Sequence, residues 1–327
     1  VYVLPCIAGH VGADAAAMVL SARPYNDDAM TLLVDVGTNA EIVLGNRDRL
    51  MACSSPTGPA FEGAQISGGQ RAAPGAIDRV RIDPDTLEPR VRVIGCEDWS
   101  DTDAFRNSGT RVTGICGSGI IEVIAEMYLA GIISTDGVIN GALAARSNRV
   151  FPDGRTFSYL LYEGENVRVV ITQNDVRQIQ LAKAALYAGI KLLMDRMRVD
   201  HVDRIKIAGA FGNHIDTRHA MVLGLIPDCD LDHVYSVGNA AGDGARMALM
   251  DKNAREEIER VVRRIHKIET AVEPKFQDHF VKAMAIPHKT DPFPELRKRV
   301  ELPEAQPTET TETADRPRRR SRRRASN

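Results

Sequence analysis

The order of apolar and polar positions along the chain predicts alternating strands and helices. Three aliphatic runs, at residues 30–36, 40–44 and 49–53, are separated by tight turns and predict a three-strand meander. From Asn174 to about Met197, apolar residues recur at every third or fourth position, which predicts a long helix with one buried face. Strands that alternate with helices in this way are typical of a layered α/β domain.

The same pattern predicts shorter elements on both sides of the long helix. Residues 54–112 are rich in Gly and Pro, and we interpret them as an insertion that carries loops and one hairpin, over residues 79–94. The other predicted strands are at residues 1–4, 204–208, 233–237 and 267–271, and the other predicted helices are at residues 118–130, 217–223, 239–250, 253–264 and 275–285.

Composition is that of a globular chain and disfavours several classes of protein. The 42 Lys and Arg residues nearly balance the 44 Asp and Glu residues, so a surface that grips nucleic acid over its whole extent is not expected. No apolar run approaches the ~20 residues that a membrane-spanning helix needs. The cysteines are scattered and form no C-x-x-C pair, so we expect neither an iron–sulfur cluster nor a structural zinc within this chain, and we expect a cytoplasmic location.

The two ends of the chain differ from the rest. The first residue is Val1 rather than Met, and we expect an N-terminal portion of the protein to be missing. Residues 1–300 are interpreted as one domain. Residues 301–327 are rich in Arg and lack large apolar residues after Leu302, so we expect a disordered tail with at most weak, salt-sensitive affinity for polyanions such as nucleic acid.

Four glycine-rich segments carry the candidate chemistry, and the first is residues 35–42. A strand ends at Asp35 and the chain turns at Gly37, where Thr38 and Asn39 supply donors before the next strand begins. Such a turn can hold a phosphate on backbone N–H groups, while Asp35 holds Mg²⁺ through water. A plain hairpin turn is the alternative interpretation of the same residues.

The other three segments also place small residues where a loop meets a helix or a strand. Gly117, Ser118 and Gly119 open a predicted helix, which indicates either an anion site or close helix packing. The two segments that follow predicted strands contribute Gly209, Ala210 and Gly212 as a surface for a flat purine ring, and Gly238 and Asn239 as the start of a helix at a hinge.

The order of these segments resembles the second half of the superfamily of acetate and sugar kinases, heat-shock chaperones and actin. On this resemblance, residues 35–41 are the second phosphate segment and residues 208–213 are the adenosine segment, while residues 12–18 and 239–247 are the two connecting helices. The implied fold class is α/β, an actin-like (RNase H-like) ATPase domain. We expect the first phosphate segment before Val1, so this chain is predicted to lack it.

Longer strings resemble one family of that superfamily. CIAGHVGAD (6–14), GPAFEGA (58–64), QLAKAA (180–185) and FQDHFVKA (276–283) look like the C-terminal domain of the ATP-dependent reductive activators of corrinoid proteins. The resemblance implies ATP and Mg²⁺ as ligands and a corrinoid protein of a methyltransferase system as partner. It also implies ATP-driven reduction of Co(II) to Co(I), with electrons from a [2Fe–2S] domain that is missing here.

Further side chains are candidates for this chemistry. Asp14 and Glu62 lie in Gly- and Ala-rich segments and are candidates to orient an attacking water, although Asp14 can instead cap a helix. Gln180 and Lys183 lie three apart on one helical face and are predicted either to reach the ribose or to form a solvated polar stripe. The hydroxyl groups predicted to face the corrinoid are those of Ser54, Ser55 or Thr57.

Two other classes of function remain open on the sequence. A small-molecule kinase of the same superfamily would need a substrate pocket and a catalytic base. A non-catalytic scaffold would bind nucleotide or partners without redox chemistry. An electron donor is an expected partner only if the chain belongs to a reductive activator. The sequence leaves open whether the protein forms a homodimer.

Overall fold

The computed structural model describes residues 2–209 and 215–303, and the predicted meander lies at the centre of its main sheet. The strands of these residues are β1 (Thr31–Val36), β2 (Ala40–Gly45), β3 (Leu50–Ser55), β4 (Ala76–Ile82), β5 (Pro89–Val93), β6 (Gly114–Ile115), β7 (Val150–Asp153), β8 (Thr156–Glu163), β9 (Arg168–Thr172), β10 (Arg204–Ala208), β11 (Val234–Gly238) and β12 (Ile265–Lys267). The α-helices are α1 (Ala13–Ala22), α2 (Asp103–Asn107), α3 (Gly117–Leu129), α4 (Gln173–Met197), α5 (Thr217–Leu223), α6 (Ala240–Met250), α7 (Lys252–Val262), α8 (Phe276–Ala283) and α9 (Pro294–Arg297).

The main sheet has six strands in the order β11-β10-β1-β2-β3-β12. The meander β1-β2-β3 is antiparallel, whereas β10 runs parallel to β1 and β11 runs parallel to β10. Asp35 lies opposite Glu41 of β2 and opposite Ala208 of β10. Because parallel strands end at the same edge of a sheet, the glycine-rich segments that follow β1, β10 and β11 are brought together there.

Both faces of this sheet are buried, which explains the continuous aliphatic runs of its strands. Leu32 and Val34 belong to the hydrophobic cluster that includes Leu186 of α4, whereas Leu33 belongs to a second cluster with Met18 of α1. Successive side chains of a strand point to opposite faces, so a strand covered on both sides has to be apolar at every position.

The long helix was predicted to begin after Asn174, and its cap is in fact Thr172. The Thr172 hydroxyl accepts a hydrogen bond from the Asp175 amide, and the Asp175 carboxylate accepts one from the Thr172 amide. This reciprocal capping satisfies two amides that the first helical turn would otherwise leave unpaired. Asn174 is also of a residue type that caps helices well, but the reciprocal hydrogen bonds at this helix start join Thr172 and Asp175.

Between Ser55 and Thr172 the chain leaves the main sheet, and this excursion is longer than the predicted insertion of 54–112. It contains two three-stranded sheets, in the orders β5-β4-β6 and β7-β8-β9, and helix α3 packs against β4. The predicted hairpin is confirmed as β4 and β5. The strands β7 to β9 were not predicted, because a bulge between Leu160 and Tyr162 interrupts the alternation that marks a strand.

Two predicted strands are wrong in their position. Residues 2–6 lie outside any strand, and the strand predicted at 267–271 is β12, which ends at Lys267 and is followed by a 3₁₀ turn at Thr270–Val272. The helices predicted as connecting helices, α1 and α6, pack against each other, and a Cβ at Gly244 would lie 1.8 Å from the Ala17 carbonyl oxygen. In residues 2–209 and 215–303, none of the helices has the length and apolar character needed to cross a bilayer.

Candidate functional site

A cavity of about 590 Å³ lies at the edge of the main sheet where β1 ends, and the excursion forms its other wall. The main-sheet wall consists of Asp14, Asp35, Val36, Gly37, Asn39 and Glu41. The excursion wall consists of Phe61, Glu62, Gln70, Arg71, Ala72, Ile94, Cys116, Gly117 and Ser118. Two of the four glycine-rich segments therefore meet in one cavity, together with both candidate carboxylates.

The turn between β1 and β2 is held from behind by the start of the excursion. The Thr57 hydroxyl donates to the carbonyl oxygens of Gly37, at 2.6 Å, and Thr38, at 3.0 Å. The Gly58 amide donates to the Thr38 carbonyl oxygen at 2.9 Å. A plain hairpin needs no such support, so these contacts favour a turn whose conformation is fixed for a ligand.

Glu62 is joined directly to this turn. The Thr38 hydroxyl donates to Glu62 Oε1 at 2.5 Å, across the boundary between the two walls. A 3₁₀ turn, Pro59–Glu62, carries the carboxylate into the cavity. The sequence placed Thr38 and Glu62 in separate roles, and the structure makes them one hydrogen-bonded unit.

Three carboxylates of the main-sheet wall repel one another. Burial, and next the charge of Asp14, raises the pKa of Asp35. Burial raises the pKa of Glu41 to about 6, with Asp14 and Asp35 adding to the effect and a hydrogen bond from the Ser54 hydroxyl opposing it. Asp14 accepts a hydrogen bond from the adjacent Ala15 amide in the first turn of α1, but the cap position of that helix is Gly12, so Asp14 is not the helix cap.

This donor set fits Mg²⁺. Carboxylate oxygens are its preferred protein ligands, and the ion commonly keeps several waters. Asp35, Glu41 and Asp14 gather negative charge that lacks an Arg or Lys partner among the ion pairs of the described residues. The charge of Asp14 acts on both Asp35 and Glu41, and Asp35 also acts on Glu41.

The start of α3 packs closely against β4 and also lines the cavity. A Cβ at Gly119 would lie 2.4 Å from the Ile77 carbonyl oxygen, so this glycine is required for packing. Gly117 and Ser118 line the cavity instead, at the N-terminus of a helix of 13 residues. Their position adds the positive end of a helix dipole to the wall that faces the carboxylates.

Gly209 is the one residue of the third glycine-rich segment that the structure describes from its turn, and it lies beside Val36 and Asp35 of the cavity wall. Gly209 has φ +122°, and a Cβ there would lie 2.7 Å from the Val36 carbonyl oxygen and 3.1 Å from Asp35 Oδ1. Its amide donates to the Gly238 carbonyl oxygen at 3.1 Å. Asn239 uses its side-chain oxygen to cap α6, accepting from the Gly242 amide at 2.8 Å. Ala210 and Gly212 lie outside the described residues, as does the tail from 304 onward.

Gln180 and Lys183 lie elsewhere than predicted. Both are buried, and neither lines the cavity. Lys183 donates to the carbonyl oxygens of Ala285 and Pro287, and Gln180 donates to those of Asp136 and Met284. Burial holds the pKa of Lys183 well below its ordinary value. The structure corrects the predicted ribose contact and the solvated stripe: these residues fasten the segment after α8 to α4.

Of the three hydroxyls predicted to face a corrinoid, two are engaged inside the protein. Ser55 is buried and donates to the Ala185 carbonyl oxygen at 2.6 Å, and Thr57 holds the phosphate turn. Ser54 is half-buried and donates to Glu41 Oε1 at 3.2 Å. Ser54 therefore remains the candidate, at the border of the cavity.

Sequence reasoning missed two residues of the cavity. Glu41 was noticed only as the end of a motif, although its register opposite Asp35 follows from the length of the turn. Arg71 lies in a Gly- and Pro-rich stretch without periodicity, so no pattern indicated that it lines the same cavity as the turn between β1 and β2.

A second cluster of acids lies on the far side of α3. Glu122 is fully buried and accepts from Arg79 at 2.8 Å and from Arg81 at 2.6 Å. His219 lies 2.7 Å from Glu126 and 2.9 Å from Asp216. Glu122, Asp216 and His219 could together hold a metal ion by their spacing, but the two guanidinium groups already neutralise Glu122.

Comparison with known proteins agrees with this geometry. Residues 29–297 match the family described as the C-terminal domain of RACo, the ASKHA domain. The chain is 37% identical over 289 residues to a corrinoid activation enzyme, RamQ, of Eubacterium limosum, an alignment that covers 85% of this chain and 46% of that protein. It is 27% identical over 277 residues to a [Co(II) methylated amine-specific corrinoid protein] reductase of Methanosarcina barkeri, which covers 81% of this chain and 47% of that protein.

A solved structure is similar over most of the chain. A reductive activator for a corrinoid, iron–sulfur protein superposes with a TM-score of 0.77 and 36% sequence identity, over 88% of this chain and 44% of that one. The predicted actin-like α/β fold is confirmed by this match and by the family. The chain spans about half the length of the curated relatives it matches.

Proposed function

This chain belongs to the family of the C-terminal ASKHA domain of RACo, and from that premise we propose that it is the nucleotide-binding domain of an ATP-dependent reductive activator of corrinoid proteins. The observation that carries the proposal is the cavity in which a fixed glycine turn, a helix N-terminus and four carboxylates meet. The names of two relatives and one solved structure, all of which concern corrinoid proteins, support the substrate class.

In this proposal the phosphates lie between the two walls of the cavity. The turn at Gly37, Thr38 and Asn39 binds phosphate oxygens with its amides, and the start of α3 faces them from the other wall. Asp35, supported by Asp14 and Glu41, would hold Mg²⁺ through water, and the ion would supply charge neutralisation to the phosphates. Glu62, oriented by the Thr38 hydroxyl, positions a water molecule near the terminal phosphate.

The purine is proposed to lie beside Gly209, where the backbone at the end of β10 packs closely against the end of β1 and Asp35. The packed pair of α1 and α6 lies next to both phosphate and purine segments, since Asp14 is in the first turn of α1 and Asn239 caps α6. A change in how these two helices pack would transmit the nucleotide state to a bound corrinoid protein. Such coupling requires the nucleotide to bind the two arrangements with different affinity.

Calorimetry on the folded chain tests the nucleotide site. We expect a measurable heat of binding for MgATP and MgADP at micromolar protein concentration. A chain with a native circular dichroism spectrum that binds neither nucleotide would contradict the proposal.

The redox role is tested with a corrinoid protein in the Co(II) state and an added low-potential reductant as the electron source. The absorption spectrum of Co(I) is expected to develop only when both the chain and MgATP are present. Formation of a phosphorylated acid or sugar in place of Co(I) would instead favour a small-molecule kinase.

A further inference from the structure

Arg71 is the one positively charged residue among the described residues that line the cavity. Four carboxylates line the same cavity, those of Asp14, Asp35, Glu41 and Glu62. An arginine beside so many acids would ordinarily form an ion pair, but Arg71 makes none with the described residues and its side chain is exposed. Its guanidinium group is therefore available to a ligand.

The main chain that carries Arg71 is held in place. The Gln70 amide donates to the Ile115 carbonyl oxygen at 2.9 Å, and the Gln70 side chain donates to the Thr113 hydroxyl at 2.9 Å. Gly63 packs so closely that a Cβ there would lie 2.8 Å from the Gln70 nitrogen. A fixed base with an unpaired guanidinium group is the arrangement expected of a residue that waits for an anion.

The walls of the cavity differ in what they can offer a phosphate. Carboxylates of the main-sheet wall need a cation between themselves and a phosphate oxygen. A guanidinium group binds phosphate directly, with two parallel N–H groups. Gly209, at the proposed purine end, adjoins Asp35 of the main-sheet wall, whereas Arg71 and Glu62 come from the excursion. The phosphate chain would thus run from the sheet towards Arg71.

We propose that Arg71 binds the terminal phosphate of a nucleoside triphosphate and thereby distinguishes the triphosphate from the diphosphate. This inference rests on the proposed nucleotide site. It adds a residue that selects the nucleotide state, and it assigns the excursion, rather than the main sheet, the task of sensing the terminal phosphate.

Calorimetry with a non-hydrolysable MgATP analogue (an imidotriphosphate) and with MgADP tests this selection. In Arg71→Ala, we expect the affinity for the triphosphate analogue to fall roughly 10- to 100-fold, the range typical of hydrogen bonds to charged groups, and the affinity for MgADP to change less than about threefold. Arg71→Lys keeps the charge but loses the paired N–H groups, so it should recover part of the loss.

Arg155 provides the matched control, since it is an exposed arginine in the turn between β7 and β8, away from the cavity. Arg155→Ala should bind both nucleotides as the wild type does. Equal weakening of both nucleotides in Arg71→Ala, or no weakening of either, would overturn the inference while leaving the nucleotide site intact. A folded wild-type chain that binds neither nucleotide would overturn both the inference and the proposed function.

Discussion

Two groups of acids lie near helix α3, one along the helix and the other in the cavity at its N-terminus, and the protein treats them differently. In the group along the helix, Glu122 is fully buried and paired with two arginines, and His219 lies between Glu126 and Asp216. In the other group, Asp14, Asp35 and Glu41 share a cavity, where burial and next the charge of Asp14 raise the pKa of Asp35 and of Glu41. The first group is neutralised by the chain itself, and the second is not.

This difference separates structure from function. A buried charge that has its own partners holds elements together, and removing one member leaves the others unpaired. Charges that gather without partners weaken the folded state, and the chain keeps them where an outside cation can complete them. Lys183, which lies outside the cavity, belongs to the first kind, because it donates to two carbonyl oxygens, and Arg71 belongs to the second.

The largest expected effect comes from breaking the paired group. Glu122→Ala should lower the free energy of unfolding by about 3 kcal/mol, because Arg79, Arg81 and the Val80 amide lose their acceptor. Urea denaturation measures it. Glu163→Gln is the control, since its ion pair with Arg168 is exposed and should contribute less than about 1 kcal/mol. Equal losses of unfolding free energy in the two variants would contradict the claim that the buried paired acid stabilises the fold more than an exposed one.

Asp35→Asn probes the unpaired group by ligand affinity. We expect binding of MgATP to weaken about 100-fold, since a principal oxygen for the cation is lost. The free energy of unfolding should stay within about 1 kcal/mol of the wild type or rise slightly, because a repelled charge is removed. Calorimetry and urea denaturation give the two values. A large loss of stability with unchanged affinity would reverse the assignment of this acid.

The stability that His219 contributes should depend on pH, and this dependence is a further test of the paired group. Burial alone would lower the pKa of His219, but the carboxylates of Asp216 and Glu126 beside it, and Glu122 nearby, raise it above the ordinary value. Folding thus favours the protonated form. The stability that protonated His219 contributes is fully present below about pH 6.5 and is lost as the pH rises through the folded-state pKa.

His219→Gln should therefore cost about 2 kcal/mol at pH 6 and less at pH 9. Arg81, which faces Asp216 at 3.9 Å, does not titrate in this interval and leaves the trend unchanged. Urea denaturation at the two pH values gives the comparison. A cost that grows as the pH rises would contradict a protonated His219.

Glu41→Gln is expected to have the smallest effect and the opposite sign. The pKa of Glu41 is raised to about 6, so the folded state is penalised once this carboxyl ionises. The penalty is absent below about pH 4.5 and complete well above pH 6. The variant should be more stable than the wild type at pH 8 by at most about 1 kcal/mol after solvent screening, and equal to it near pH 4. Thermal denaturation at both pH values measures the difference, and added Mg²⁺ should reduce it.

Much of the main sheet was predictable because its signal is local. The meander, the strand Arg204–Ala208 and the helix Thr217–Leu223 agree with the predicted positions. In each, the spacing of apolar residues directly reflects which face is buried. The turn at Gly37 was found for the same reason, since a glycine between two strands limits what the backbone can do.

The site was only partly predictable because its walls come from distant parts of the chain. Asp35 and Glu62 were found one at a time as acids near glycines, and nothing in the sequence showed that Thr38 links them. Gln180 and Lys183 had the polar character of ligand-binding residues, yet long-range packing against Ala285 and Met284 buried them. Periodicity places a residue on a helix face but does not say what covers that face.

The sequence by itself determined the α/β class, the order of the glycine segments and the family, since each depends on short strings and local spacing. Tertiary structure alone decided which charges are paired, because pairing depends on residues that lie far apart in the chain, such as Glu126 and His219. It also brought Arg71 into the same cavity as the turn between β1 and β2. The physical reason is that burial and charge compensation depend on distances in space, which the folded chain alone determines.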